Sequence, residues 1–310
     1  MIAYVAVLLA LYLTWNIGVQ TMGVLLGINI GGGTMKLRNG VIVGGVFSVL
    51  GALLLSRRIV ATIGTGLVAF DITGVIAVML CSAVLATILA WKRIPISLTY
   101  LIIGGIAGYS VGAGVAFNTG LYGKVLLSLF ISPVIALVLG FLIYYGIRSF
   151  VRKRIPGVKG REVFETKFQI PSILSFAFIS FAVGVDSVGV VIGVMGKSFS
   201  FLTLGIVGAV GMFFGLLIWG YRIARTVGIE LTDLSPTRSF SAALSAGLVA
   251  MMFLVFSIPV SISQTLIGGI IGIGIARGRI EGGTVKDILV YWGVALPSAF
   301  ILAFVFGMVI

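Results

Sequence analysis

Long apolar blocks follow one another along the whole chain, and the polar residues gather into short clusters between or inside them. Runs near or above about 18 residues recur from end to end and are continuous rather than alternating. That predicts an all-α polytopic membrane protein and disfavours a β-barrel. The blocks fall at 2–30, 41–55, 70–91, 94–115, 125–145, 171–194, 201–221, 240–256, 258–276 and 288–310. Roughly 10 membrane-spanning segments are therefore expected.

Four of the blocks are interrupted by polar residues. The first holds Asn16, Gln20 and Thr21, and the sixth holds Asp186 and Ser187. Pro95 is followed by Ser97 and Thr99, and Pro259 by Ser261, Ser263 and Gln264. Proline fixes φ and gives up its N–H, so it suits a turn or the first residue of a helix. Pro95 and Pro259 are read as tips of re-entrant hairpins. The glycine-rich polar stretches at 18–27 and 184–193 are read as joints where a helix unwinds at mid-membrane into two half-helices.

The interruptions come in pairs because the chain repeats itself. Residues 18–27 and 184–193, at a shift of 166, share Gly, Val, Gly, Val and Gly in ten positions. Residues 94–108 match 258–272 at eight of fifteen positions, at a shift of 164. Between them, Gly51, Arg58, Ile59, Thr62 and Gly64 align with Gly215, Arg222, Ile223, Thr226 and Gly228. The reading is a first transmembrane repeat over 1–147, a basic cytoplasmic linker over 148–168 and a second repeat over 169–310. Five crossings per half would make the repeats inverted.

Composition narrows the function. The chain has 310 residues, of which 60% are hydrophobic and 9% charged, with a mean hydropathy of +1.26. Histidine is absent and Cys81 is the single cysteine, which removes His-ligated metal, His proton relays and disulfides. Cys81 itself is expected to serve packing. The net charge of +13 suggests nucleic acid, but seven basic residues fall in 148–167 and most others flank apolar blocks. That is the pattern of cytoplasmic loops facing an anionic leaflet, so no nucleic-acid partner is expected. The N-terminus lacks a basic stretch, so a cleaved signal peptide is not expected. Walker A and nucleophile-elbow motifs are absent, and neither enzymatic activity nor a cofactor is expected.

Of eight acids, Asp186 alone lies inside a span. A carboxylate at bilayer depth costs at least ~2.5 kcal/mol, so it is held either as a structural cap or as a site for a coupling cation or substrate. Asp71 opens a span and reads as a helix N-cap. Broken helices aim free N–H groups and positive dipole ends at one place, and hydroxyls and side-chain amides add donors. Gln20, Thr21, Ser97, Thr99, Asp186, Ser187, Ser261, Ser263 and Gln264 are the candidate substrate-binding residues. Asp186, Thr21 and Ser187 are the candidates for a coupling Na+ or H+. Arg57, Arg58, Arg222 and Arg225 lie at span ends and read as interfacial.

These motifs resemble the inorganic phosphate transporter (PiT) family. Its paired G-A-N-D-V-A-N-A-x-G signatures correspond to 18–27 and 184–193, and its P-V-S-T-T-H segment to 95–100 and 259–264. Its W-G-Y-R, T-E-L-T-P-S-R-G-F and V-I-G-V-G-L-A-R-G stretches resemble 219–222, 232–240 and 270–278. At the family's Asn-Asp pair this chain has Gln20-Thr21 in one copy and Asp186-Ser187 in the other. The resemblance implies a cation-coupled secondary transporter of inorganic phosphate in the cytoplasmic membrane, and a homodimer. Two alternatives stand beside it. One is a sulfate permease of the same family, because sulfate offers only acceptors and suits a site with fewer carboxylates. The other is a non-transporting anion sensor or accessory membrane protein.

Overall fold

The computed structural model describes residues 2–92, 96–196, 199–230, 234–278 and 282–309. Pro95, Thr232, Asp233 and Glu281 lie outside the described residues. The elements are α1 (Ile2–Gly31), α2 (Leu37–Leu54), α3 (Arg57–Ala61) running into a π-helical turn (Thr62–Leu67), α4 (Ile72–Trp91), α5 (Leu98–Gly112) and α6 (Thr119–Arg154). They continue as α7 (Val158–Lys167), α8 (Gln169–Val183), a second π-helical turn (Gly184–Val188), α9 (Gly189–Val194), α10 (Phe201–Ile218) and α11 (Gly220–Glu230). The chain closes with α12 (Pro236–Val255), α13 (Ile262–Arg277) and α14 (Gly282–Val309). Among the described residues, eight helical stretches are long and apolar enough to cross a membrane. Two more, α5 and α13, are apolar but only 15 and 16 residues long. At 1.5 Å per residue they reach about 23 Å, short of a hydrocarbon core of about 30 Å.

The internal repeat returns in the element boundaries. α2 and α10, and likewise α4 and α12, begin and end 164 residues apart, and α5 and α13 begin 164 apart. The halves are also interleaved by close backbone packing. Gly18 on α1 lies against the carbonyl of Met212 on α10, while Gly184 lies against the carbonyl of Ser48 on α2. Met212 and Ser48 are themselves equivalent by the repeat. Gly104 and Gly108 of α5 press on the backbone of α14, and Gly268 and Gly272 of α13 press on that of α6. α1 and α5 thus lie on partners from the second half of the chain, and the 184–188 turn and α13 on partners from the first. A side chain at these glycines would drive the helices apart.

The joint predicted at 18–27 is not there: α1 is one unbroken helix of 30 residues. Its glycines are used for approach rather than for breaking. Gly18, Gly23 and Gly27 meet the backbone carbonyls of Met212, Gly220 and Ala224. Asn16 bonds within the helix, to the carbonyl of Tyr12 at 3.1 Å. The joint predicted at 184–193 is not unwound either. It is a π-helical turn, which keeps the helix going while shifting its hydrogen-bond register, a feature common at functional positions.

Asp71 caps α4 as expected, accepting from the Gly74 N–H at 2.9 Å. The stretch 148–168 is mostly helical: α6 runs on to Arg154, the chain turns at Gly157 with φ 75°, and α7 follows. Arg57, Arg58, Arg222 and Arg225 are exposed, and Arg57 and Arg222 stack on Phe201 and Trp219.

Candidate functional site

The two hairpin tips and the two repeated decamers meet in the core. Before α5, Ile96 and Ser97 are non-helical and buried, and Ser97 has the extended backbone of an N-cap. Before α13, residues 258–261 are non-helical, and Val260 and Ser261 are fully buried. Non-helical backbone survives at this depth only where protein satisfies its polar groups. The decamers do this. Gln20 Oε1 accepts from the Ile96 N–H at 3.2 Å, and Asp186 Oδ1 accepts from the Val260 N–H at 2.9 Å. Gln20 and Asp186 hold the same place in their decamers, and Ile96 and Val260 each follow the tip proline. One hydrogen bond is therefore made twice, once per half.

The halves are then tied across. Thr21 of the first decamer bonds to Ser263 of the second hairpin, Oγ1 to Oγ 2.9 Å. The equivalent pair is Ser187 of the second decamer and Thr99 of the first hairpin. Both hydroxyls stand within electrostatic reach of the Asp186 carboxylate. Thr99 Oγ1 nevertheless closes no hydrogen bond, and neither does Asp186 Oδ2 or Ser261 Oγ. These three unpartnered atoms lie on residues at most 1% exposed. Buried polar atoms without partners are rare, and each calls for a physical reason such as a strained site or a guest.

All nine predicted site residues are at most 4% exposed, so this site is closed to bulk water. Gln20 is satisfied at both ends, since its Nε2 also donates to the Ala86 carbonyl at 3.3 Å. Gln264 faces the Tyr100 hydroxyl. Ser97 lies next to Ile96, and its hydroxyl makes no capping bond. The hydroxyls of Ser97 and Ser261 leave the first amides of α5 and α13 uncapped, so two positive helix ends point at one buried place. None of these nine residues or their hydrogen-bond partners is an arginine or a lysine. The donors are amides and hydroxyls, the one charge is a carboxylate, and the set suits an oxyanion with a cation beside it.

Two contributors escape the sequence reading. Ser128, in a span that reads as plain, donates to the Pro259 carbonyl at 2.6 Å and holds the second tip from α6. Tyr100 sits within the first hairpin motif and meets Gln264. Only the position of Tyr100 inside that motif could have pointed to it.

Comparison with known proteins gives concordant results. The profile of the phosphate transporter family matches residues 17–303. The chloroplastic inorganic phosphate transporter 2-1 of Arabidopsis thaliana is 25% identical, over 99% of this chain and 72% of its own length. A solved structure of a sodium-dependent phosphate transporter superposes with a TM-score of 0.86, covering 99% of this chain and 98% of that one. At 20% identity, that likeness speaks for the fold alone.

Proposed function

This chain belongs to the phosphate transporter family, and from that membership we propose that it carries inorganic phosphate across the cytoplasmic membrane as a cation-coupled secondary transporter. The observation that carries this reading is the buried convergence of Asp186 Oδ2, Thr99 Oγ1 and Ser261 Oγ at the uncapped starts of α5 and α13. Phosphate has what such a place requires. Its unprotonated oxygens accept from hydroxyls and first-turn amides, and its P–OH donates to a carboxylate. The named relatives are phosphate proteins, and none supports the sulfate alternative.

Two negative charges cannot share a buried place uncompensated, which is the physical case for a coupling cation. Asp186 Oδ2 with the hydroxyls of Ser187 and Thr99 forms a hard oxygen set fit for Na+, and the same carboxylate could take H+. Thr21 is the weaker cation candidate because its hydroxyl is already bonded to Ser263. The two repeats would rock against each other around this site, exposing it to either side in turn. A homodimer is part of the same proposal, and light scattering of the purified chain tests it.

Uptake of labelled phosphate into proteoliposomes, with imposed Na+ or proton gradients and labelled sulfate as competitor, tests the transport reading. Gradient-driven phosphate accumulation is expected. Phosphate binding without any accumulation would instead favour the sensor alternative.

A further inference from the structure

A second place on the molecule is built for an anion and has no part in the buried site. Between the end of α6, the linker helix α7 and the start of α12 lies a cavity of about 330 Å³. Arg148 and Arg152 line it from α6, Arg161 and Glu165 from α7, and Thr237 and Arg238 from α12. The guanidinium groups of Arg148, Arg152 and Arg161 outnumber the one carboxylate, and Arg238 adds a fourth on the α12 side. The carboxylate is already committed to the N-terminus of α12. Glu165 Oε2 accepts from the Thr237 N–H at 2.9 Å, and Oε1 accepts from the hydroxyls of Thr237 at 2.8 Å and Ser235 at 3.1 Å. Arg148 is held in place by donating to the carbonyl of Ala276 at the end of α13. A guanidinium has five donors in a rigid fork, so one backbone bond leaves most of them available.

α6 is 36 residues long, well beyond the ~20 needed to cross a membrane. Its last turns therefore emerge at the interface, where both lipid headgroups and soluble ions reach them. Several arginines converging from three elements match the geometry of a phosphate group, which takes bidentate donors from several directions. We propose that this cavity binds a phosphate-bearing anion, either the headgroup of an anionic lipid or free phosphate. α6 belongs to the first half of the chain and α12 to the second, with α7 joining them. An anion bound here bridges the two halves from outside the transport site, and so regulates their relative movement. The inference stands whether or not phosphate is the transported species.

The test uses the full chain, purified in detergent and stripped of lipid. Binding of dioctanoyl phosphatidic acid, dioctanoyl phosphatidylcholine and inorganic phosphate is followed by native mass spectrometry. One phosphatidate per chain, or one phosphate beyond any held at the buried site, is expected at this cavity. Arg152→Gln combined with Arg161→Gln, both exposed positions, should weaken it by at least about tenfold. Glu165→Gln keeps an acceptor for α12 while removing the opposing charge, and should tighten binding several-fold. Phosphate binding is also measured in an Asp186→Asn background, so that phosphate held at the buried site is not counted at this cavity. Binding of phosphatidate alone assigns a lipid headgroup, and binding of phosphate alone assigns a soluble ligand. Neither probe binding better than phosphatidylcholine, or wild-type binding in the double arginine variant, would overturn the proposal.

Discussion

The two decamers share five residues of ten, and the polar pair in which they differ serves opposite ends. In the first copy every polar group is satisfied within the protein. Gln20 bonds to the Ile96 N–H and to the Ala86 carbonyl, and Thr21 bonds to Ser263 across the halves. In the second copy Asp186 makes the equivalent backbone bond, but its other oxygen and the facing Thr99 hydroxyl stay unpartnered. The chemistry of the side chains explains the split. A glutamine carries one acceptor and one donor group and can close a protein network by itself. A carboxylate carries two acceptors and a charge, so its second oxygen, beside the Ser187 and Thr99 hydroxyls, keeps room for a further donor or a cation. The helix geometry follows suit: α1 is regular, while the second copy bends its hydrogen-bond register through a π-helical turn. Duplication gave the fold two equivalent places, of which one became a lock and the other kept an open valence.

The sharpest way to break this comparison is to exchange the roles. Asp186→Asn keeps shape but removes the charge, and should lower gradient-driven uptake by at least ~100-fold, the loss of a charged contact worth about 3 kcal/mol. Gln20→Ala should lower it far less while reducing thermal stability. Proteoliposome uptake beside a thermal-unfolding curve reads both, and the reverse order would mean that the first decamer is the working one. The next effect tests whether the two copies are equivalent in packing. A Cβ at Gly184 collides with the Ser48 carbonyl, and one at Gly18 with the Met212 carbonyl. Gly184→Ala and Gly18→Ala should each destabilise by about 1–3 kcal/mol or more. A tolerated alanine at only one of them would show that the helices are not packed alike.

Much of this arrangement is legible in the sequence because polar residues are scarce in it. In a chain with 9% charged residues, a carboxylate, three amides and a few hydroxyls at the breaks in apolar blocks stand out, and the repeat pairs most of them. Asp71 is legible as a cap because capping is a local rule. The continuity of α1 is not legible. Glycine both loosens a helix and lets another backbone approach, and what decides between them is α10, some two hundred residues away. Ser128 is hidden for a similar reason. A lone hydroxyl on an apolar helix commonly bonds its own preceding turn, as Ser128 also does to Val125, and nothing local shows its second partner, Pro259. The match of Pro133 with Pro297, at a shift of 164 inside α6 and α14, is visible once the repeat is extended to the last span of each half.

Smaller effects sharpen the contrast between lock and open valence. Thr21→Val leaves the buried Ser263 hydroxyl without its partner and should cost about 1–3 kcal/mol. Thr99→Val removes a hydroxyl that lies near the Asp186 carboxylate but closes no hydrogen bond, so it should cost less stability than Thr21→Val while phosphate uptake falls. Equal destabilisation by the two valines, measured from thermal midpoints, would erase the distinction drawn here.

The smallest expected effect lies at the helix starts. Asp71 and Ser235 are equivalent by the repeat and precede the equivalent helices α4 and α12. Asp71 caps its own helix, whereas the Ser235 side chain does not, and Glu165 reaches in from α7 to take the Thr237 N–H instead. Asp71→Ala should therefore cost about 1 kcal/mol, the usual worth of an N-cap. Ser235→Ala should cost less than Asp71→Ala, because Glu165 keeps the Thr237 N–H and hydroxyl and loses only the long 3.1 Å bond from Ser235. Chemical-denaturation midpoints of the two variants in the same detergent decide the matter. A larger loss at Ser235 than at Asp71 would mean that the hydroxyl, not Glu165, holds the start of α12, and that the linker helix is not fastened to the second half in the way these hydrogen bonds describe.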